Sequence, residues 1–167
     1  SILDNYLMLE KENISNVYSS LIEKEKKNYD VIIIDCPPAL GQSVAAATLA
    51  SDMVVSPLTP EQFSLSGLHI TYEEISALAR KFDKSILFKV ILNKFDTRTA
   101  LSSEVLTRVL NDDLFKNLLC KTFVRVCQDF PNAIHRGGNI YDDLKKSVAK
   151  EDIDLFTREI LDLPLPA

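Results

Sequence analysis

The side chain best placed to do chemistry in this sequence is Asp35. It ends the run Val31-Ile32-Ile33-Ile34 and is followed by Cys36-Pro37-Pro38. Consecutive β-branched residues favour a strand buried on both faces. Such strands deliver polar groups to the carboxyl edge of a parallel sheet, where phosphates and metal ions bind. A carboxylate there suits a divalent cation or its water shell; the plainer reading is a strand-terminal Asp that caps the next segment. Pro37 and Pro38 lack N–H donors and restrict φ, so the chain leaves the strand in a loop able to hold two arrangements. Asn93 ends another aliphatic run, where its amide could read an adenine edge or simply cap the strand. Cys36 has no base assignable to it and reads as a structural thiol. Neither His69 nor His135 has an acid or nucleophile at a recognisable spacing.

These residues must be held by a scaffold, and the pattern predicts an α/β fold with a mainly parallel sheet flanked by helices. Ile14, Val17, Leu21 and Ile22 share a helix face, with Ser15 or Asn16 near its cap. Strands are predicted at Val31–Asp35, Met53–Ser56, Ile86–Leu92 and Leu118–Val124. Helices are predicted at Gln42–Ala50 and Ser102–Leu110, in a longer element carrying Leu68, Tyr72, Ile75, Ala79 and Phe82 on one stripe, and from about Asp152, aligning Ile153, Phe156 and Ile160. Gly41 is expected to give the backbone freedom where the first loop turns into its helix. Residues 128–139, with Pro131 and Gly137-Gly138, read as a loop, and Pro164 and Pro166 end the last helix. One α/β domain over residues 1–167 is the expected organisation.

With 167 residues, 46% of them hydrophobic, the chain can bury a core. No apolar run approaches the roughly 20 residues of a membrane span. Cys36, Cys120 and Cys127 form no CxxC pair, which points to reduced thiols and a cytoplasmic setting. The net charge of −5 argues against bulk attraction to nucleic acid, so any such binding needs a local basic patch.

Three segments, IIIDCPPALG, SPLTPEQFSLSGL and LNKFDTRT, occur in this order. Together they resemble the ParA/Soj branch of the P-loop partition ATPases, over most of the chain from Tyr29 to Phe156. The resemblance implies a P-loop NTPase-like sheet and, in the intact protein, ATP and Mg²⁺ as cofactors. It makes Asp35 the residue that orders the Mg²⁺ hydration shell, with Pro37 and Pro38 in a switch loop that senses the γ-phosphate. Asn93, Phe123 and Val124 would border the adenine. Arg98 and Arg125 would bind DNA without sequence preference, and Lys94, Lys116, Lys121 and Arg136 would widen the patch; the competing reading is a set of solvated surface charges. Pro57, Thr59, Pro60, Glu61 and Phe63 fall where relatives have a loop near the dimer face, or form an ordinary strand–helix connection. Implied partners are a second subunit in an ATP-bridged homodimer, nonspecific DNA, and a ParB-like centromere-binding protein. The expected location is the nucleoid or a plasmid.

The sequence also departs from that family. A phosphate loop needs glycines followed by Lys-Ser or Lys-Thr. None of Gly41, Gly67, Gly137 and Gly138 meets that requirement. The expectation is therefore an incomplete fold, the carboxyl-terminal portion of a longer ATPase, which binds no nucleotide and is inactive alone. The alternative is a nucleotide-free DNA- or protein-binding regulatory module. A MinD-like positioning ATPase is disfavoured, because its membrane contact needs a basic amphipathic tail and residues 154–164 are acidic and proline-stopped. Family members commonly have Ser-Glu-Ala where this chain has Pro131-Asn132-Ala133.

Overall fold

Alternating aliphatic and amphipathic segments give alternating strands and helices. The computed structural model describes residues 16, 18–38, 41–61, 64–143 and 145–164. Its elements are α1 (Ser19–Glu25), α2 (Gln42–Ala50), β1 (Met53–Leu58), α3 (Ser64–Lys81), β2 (Leu87–Phe95), α4 (Ala100–Asn111), β3 (Leu119–Arg125), α5 (Asp129–His135) and α6 (Val148–Ile160). The strands form a three-stranded sheet in the order β1-β2-β3, with β2 and β3 parallel. The expected α/β class with a parallel sheet and flanking helices is what the structure has. Among the described residues no helix is long and apolar enough to cross a membrane.

The chain divides into two compact units, Ser1–Val54 with His69–Phe88, and Val55–Leu68 with Lys89–Ala167. In the first, the alanine-rich α2 buries Ala46, Ala47 and Leu49, while Tyr72 meets Phe88 edge-on at 5.2 Å. In the second, Val90, Ile91, Leu92 and Phe95 of β2 are buried, as is the Val105–Val109 stripe of α4. Phe115, in a 3-10 turn after α4, is fully enclosed. Ile153, Phe156 and Ile160 of α6 press on Ile91, Cys120 and Val124. Burial pushes the Cys120 thiol up to about 11, so it stays protonated in this core.

The β2–β3 register is irregular, and the irregularity has a partner. Val90 faces Leu119 and Leu92 faces Phe123, so β3 advances four residues while β2 advances two. Lys121 and Thr122 fall in that surplus, and both of their N–H groups donate to Glu159 on α6, at 2.6 and 2.7 Å. The Arg125 N–H donates at 2.7 Å to Asp152, on the same helix. Asp152 is itself buried and takes the Arg125 guanidinium side-on, while Glu151 holds that guanidinium from outside at 2.7 Å. These carboxylates raise the Arg125 pKa, Asp152 first.

Several expectations are corrected. Residues 31–37 have no regular structure and lie outside the three-stranded sheet. Val31, Ile32 and Ile33 are 47%, 38% and 88% exposed, and Asp35 is exposed too, so its carboxylate does not stand at the rim of a buried strand. β-branched composition supplies propensity, but a strand forms only where neighbours complete its ladder and cover its faces. Residues 128–139 are not a loop but contain α5, with Pro131 in the first turn, where a missing N–H costs nothing. Gly137, at φ +70°, ends α5: its N–H donates to Ile134 O and that of Gly138 to Ala133 O, a paired closure that satisfies the last carbonyls. The last helix starts at Val148, capped by Ser147, which accepts from the Lys150 N–H. Gly41 caps α2 at φ −113°, a conformation open to any residue. Leu21 is exposed on α1 and Phe82 lies past the end of α3, 42% exposed. Ile14, Ser15, Val17, Phe63 and Pro166 lie outside the described residues.

Two outcomes follow from the α6 contacts. Asp152→Ala leaves the Arg125 N–H without its acceptor and the guanidinium with Glu151 alone, and should cost about 2 kcal/mol in urea unfolding. Burial tends to raise the Glu159 pKa, but the Thr122 hydroxyl and the Lys121 and Thr122 N–H groups overcome it, leaving a folded value below the usual 4.5. A depressed carboxylate stabilises fully above its unfolded pKa and loses that contribution as pH falls through the folded one. Glu159→Gln should therefore lower the unfolding midpoint at neutral pH, and the gap to the parent should close below pH 4.5.

Candidate functional site

Parallel strands bring their following loops to one edge of the sheet, and in this fold class that edge is where ligands bind. Here it holds a cleft of about 380 Å³ within the second unit. Thr59, Pro60 and Glu61 follow β1 along one wall; Lys94 and Asp96 come from the end of β2; Thr99, Leu101 and Ser102 open α4; and Val126 follows β3. The Val126 N–H donates to Phe95 O at 3.1 Å, which extends the β2–β3 pairing to the cleft.

Asp96 is the most constrained group in this wall. Its N–H donates to Ser102 Oγ at 3.2 Å, and its carbonyl accepts from the Thr99 hydroxyl at 3.0 Å. Thr99 also caps α4, accepting from the Ser102 N–H. The Asp96 carboxylate takes Arg98 three times: backbone N–H at 3.0 Å, Nε at 2.9 Å and Nη2 at 2.8 Å. The Arg98 side chain is nevertheless 84% exposed, against 21% for Asp96. Arg98 is thus fixed at its root and open at its tip. The hydrogen bonds from Arg98 hold the Asp96 carboxyl down at about 2.

At Lys94 the backbone takes φ +53°, where β2 slips register between Leu92 and Phe95. Left-handed backbone at a non-glycine residue is uncommon and clusters at ligand clamps and switches. Asn93 lies inside β2 rather than after it, and its Oδ1 accepts the Lys94 N–H at 2.9 Å, a local contact. Phe123 and Val124 lie inside β3. Phe123 packs on Phe95 with ring centroids 4.8 Å apart, and Val124 is buried in the core, so the Val124 side chain is no wall of an open pocket. Lys121 and Arg136 are exposed, on β3 and just past α5; Arg125 is bound to Asp152 and Glu151. Pro37 and Pro38 share the exposed segment of Asp35, and burial, then Asp35, raises the Cys36 thiol.

The structure thus brings Lys94 into one cleft with Thr59, Pro60 and Glu61 and pairs Arg98 with Asp96 of its wall, while Phe123 packs on Phe95 and the Val124 side chain is buried. Sequence reasoning missed Asp96, Thr99, Ser102 and Val126. The signal was available for three of them: Asp-x-Arg-Thr is a side-chain-closed turn, and Thr-x-x-Ser places a cap ahead of α4. Among the described residues no group of three His, Cys, Asp or Glu could hold a metal ion. With Asp35 exposed and no Gly-Lys-Ser/Thr loop, these residues do not by themselves fit Mg²⁺–ATP.

The Asp96–Arg98 clamp can be measured. In a carboxyl-carbon NMR titration, Asp96 should titrate near 2 and move toward the ordinary 3.8 in Arg98→Ala.

A family model described as an AAA domain matches residues 2–88. The chain is 33% identical over 140 residues to the sporulation initiation inhibitor protein Soj of Bacillus subtilis, covering 77% of this chain and 55% of that protein. It is 30% identical over 135 residues to the virulence plasmid ParA family protein pGP5-D of Chlamydia trachomatis, covering 81% and 50%. The chain spans about half the length of these curated relatives. An ATP complex of McdA from Cyanothece has the same fold, with a TM-score of 0.76 at 19% identity, covering all of this chain and 64% of that one. This chain belongs to the ParA/Soj-type family of AAA-domain partition ATPases.

Proposed function

We propose that this chain provides the switch-loop and DNA-contact part of a ParA-type partition ATPase. The assembled motor dimerises with ATP, coats DNA without sequence preference, and is stimulated to hydrolyse ATP by a ParB-like partner. The observation that carries this reading is the convergence of three strand ends of a ParA/Soj-type sheet on one cleft, with the exposed Arg98 paired to Asp96 of its wall. A guanidinium fixed at its root and free at its tip suits a phosphate, which gives affinity without sequence information. Lys94, Lys121 and Arg136 are exposed cations that extend the contact. Arg125 serves the proposal differently, by holding α6 on β3. Asp35, Pro37 and Pro38 are assigned to the switch on the resemblance of their segment, not on their present position. Hydrolysis is assigned to the assembly that includes a phosphate loop.

Two measurements test this reading. Fluorescence anisotropy with random duplex DNA should show binding that falls steeply with salt, and Arg98→Ala should flatten the slope of log K against log salt by a fraction of the ~0.9 that one unopposed phosphate contact contributes. Binding that ignores salt, or that Arg98→Ala leaves unchanged, would sink the DNA assignment. For ATP, the 167-residue chain should release phosphate no faster than buffer, while its fusion to a P-loop segment should turn over slowly and respond to DNA and partner. Equal turnover in both would refute the division of labour.

A further inference from the structure

The geometry points to Asp96 as an electrostatic brake on Arg98: its carboxylate presets the guanidinium for a phosphate while cancelling much of the charge that would draw one in. This inference rests on the DNA reading of Arg98 and adds a positioning residue to that contact. The side-on pairing through Nε and Nη2 occupies one edge of the guanidinium. Nη1 and the outer Nη2 hydrogen remain for a ligand, on a side chain that is 84% exposed. The clamp cannot swing away easily. Asp96 is held through its own N–H by Ser102 and through its carbonyl by Thr99, both in the first turn region of α4. The backbone N–H of Arg98 closes the same turn on Asp96 Oδ1.

A DNA phosphate reaching Arg98 therefore meets a cation already matched by a carboxylate about 3 Å away, and must compete with it. The cost is a weaker contact; the gain is a donor pair already ordered, so little side-chain freedom is lost when phosphate arrives. Removing the charge of Asp96 while keeping an acceptor should release the full guanidinium charge. The number of counterions displaced on binding then rises by up to about one, and affinity over a fourfold range of salt becomes up to about threefold more salt-sensitive.

The test measures random duplex DNA binding by anisotropy, from about 50 to 200 mM salt. The samples are the parent chain, Asp96→Asn, Asp96→Ser, Arg98→Ala and Asp96→Asn with Arg98→Ala. Two neutral replacements are included so that misfolding of one, seen by circular dichroism, leaves the other to decide. The inference expects both to bind more tightly at low salt with a steeper slope, and expects Asp96→Asn to change nothing once Arg98 is alanine. Binding that weakens or stays level on neutralising Asp96, or that tightens equally in the Arg98→Ala background, overturns the brake while leaving DNA binding intact. If none of the five samples binds DNA, the DNA reading itself falls and takes this inference with it. A conservative Asp96→Glu keeps the charge and should restore the parent slope, which a purely structural role of the turn would not do.

Discussion

The outward-facing N–H groups of β3 set the constraint around which this structure is built. Among the described residues the strand order is β1-β2-β3, which makes β3 an edge, and an uncovered edge is a template for unwanted pairing. Asp152 and Glu159 stand seven residues apart on α6, two turns along one face, and accept from Arg125, Lys121 and Thr122. Beside them the helix carries Ile153, Phe156 and Ile160 onto Ile91, Cys120 and Val124. Polar and apolar contacts thus act over one helix length, and each fixes the geometry the other needs. With β3 held, Val126 reaches the Phe95 carbonyl and the third side of the cleft is placed.

Arg98 and Arg125 show how far environment separates two residues of one type. Each sits near the carboxyl end of a strand and each is paired with carboxylates. Arg125 meets Asp152, whose side chain is 5% exposed, and Glu151 pairs with it from the solvent side. Arg98 meets Asp96 on the surface and keeps its outer donors in water. The first arrangement holds a helix to a strand; the second leaves a cation available to a partner. From the sequence alone both are simply arginines after aliphatic runs.

Much of the fold was legible because its strands and helices obey distinct periods. β1, β2, β3, α2 and α4 lie within a few residues of where their patterns place them. Two kinds of information were not local. Whether Val31–Ile34 form a strand depends on neighbours to pair with, which β-branched composition cannot report. Whether Pro131 breaks a helix depends on its distance from the start, and here it falls in the first turn of α5. In the candidate site, Lys94 and Arg98 were visible as cations in the segment LNKFDTRT, which resembles the family. Asp96 was not singled out, because its importance lies in a turn that hydrogen-bonds to itself. Asn93 falls inside β2, and the Val124 side chain is buried in the core. The family resemblance survived these errors because it rests on three separate segments, of which only the one around Asp35 lies in the misplaced strand.

The inverted hand of the backbone at Lys94 carries a practical consequence for dissecting this rim. Any L-residue there resists the conformation by about 1 kcal/mol, and only glycine adopts it freely. An alanine scan would delete the ammonium yet leave that resistance in place, whereas a glycine exchange would delete both at once. Comparing the two would separate what the amine contributes from what the twisted peptide unit contributes, at a position where charge and chain geometry are otherwise confounded.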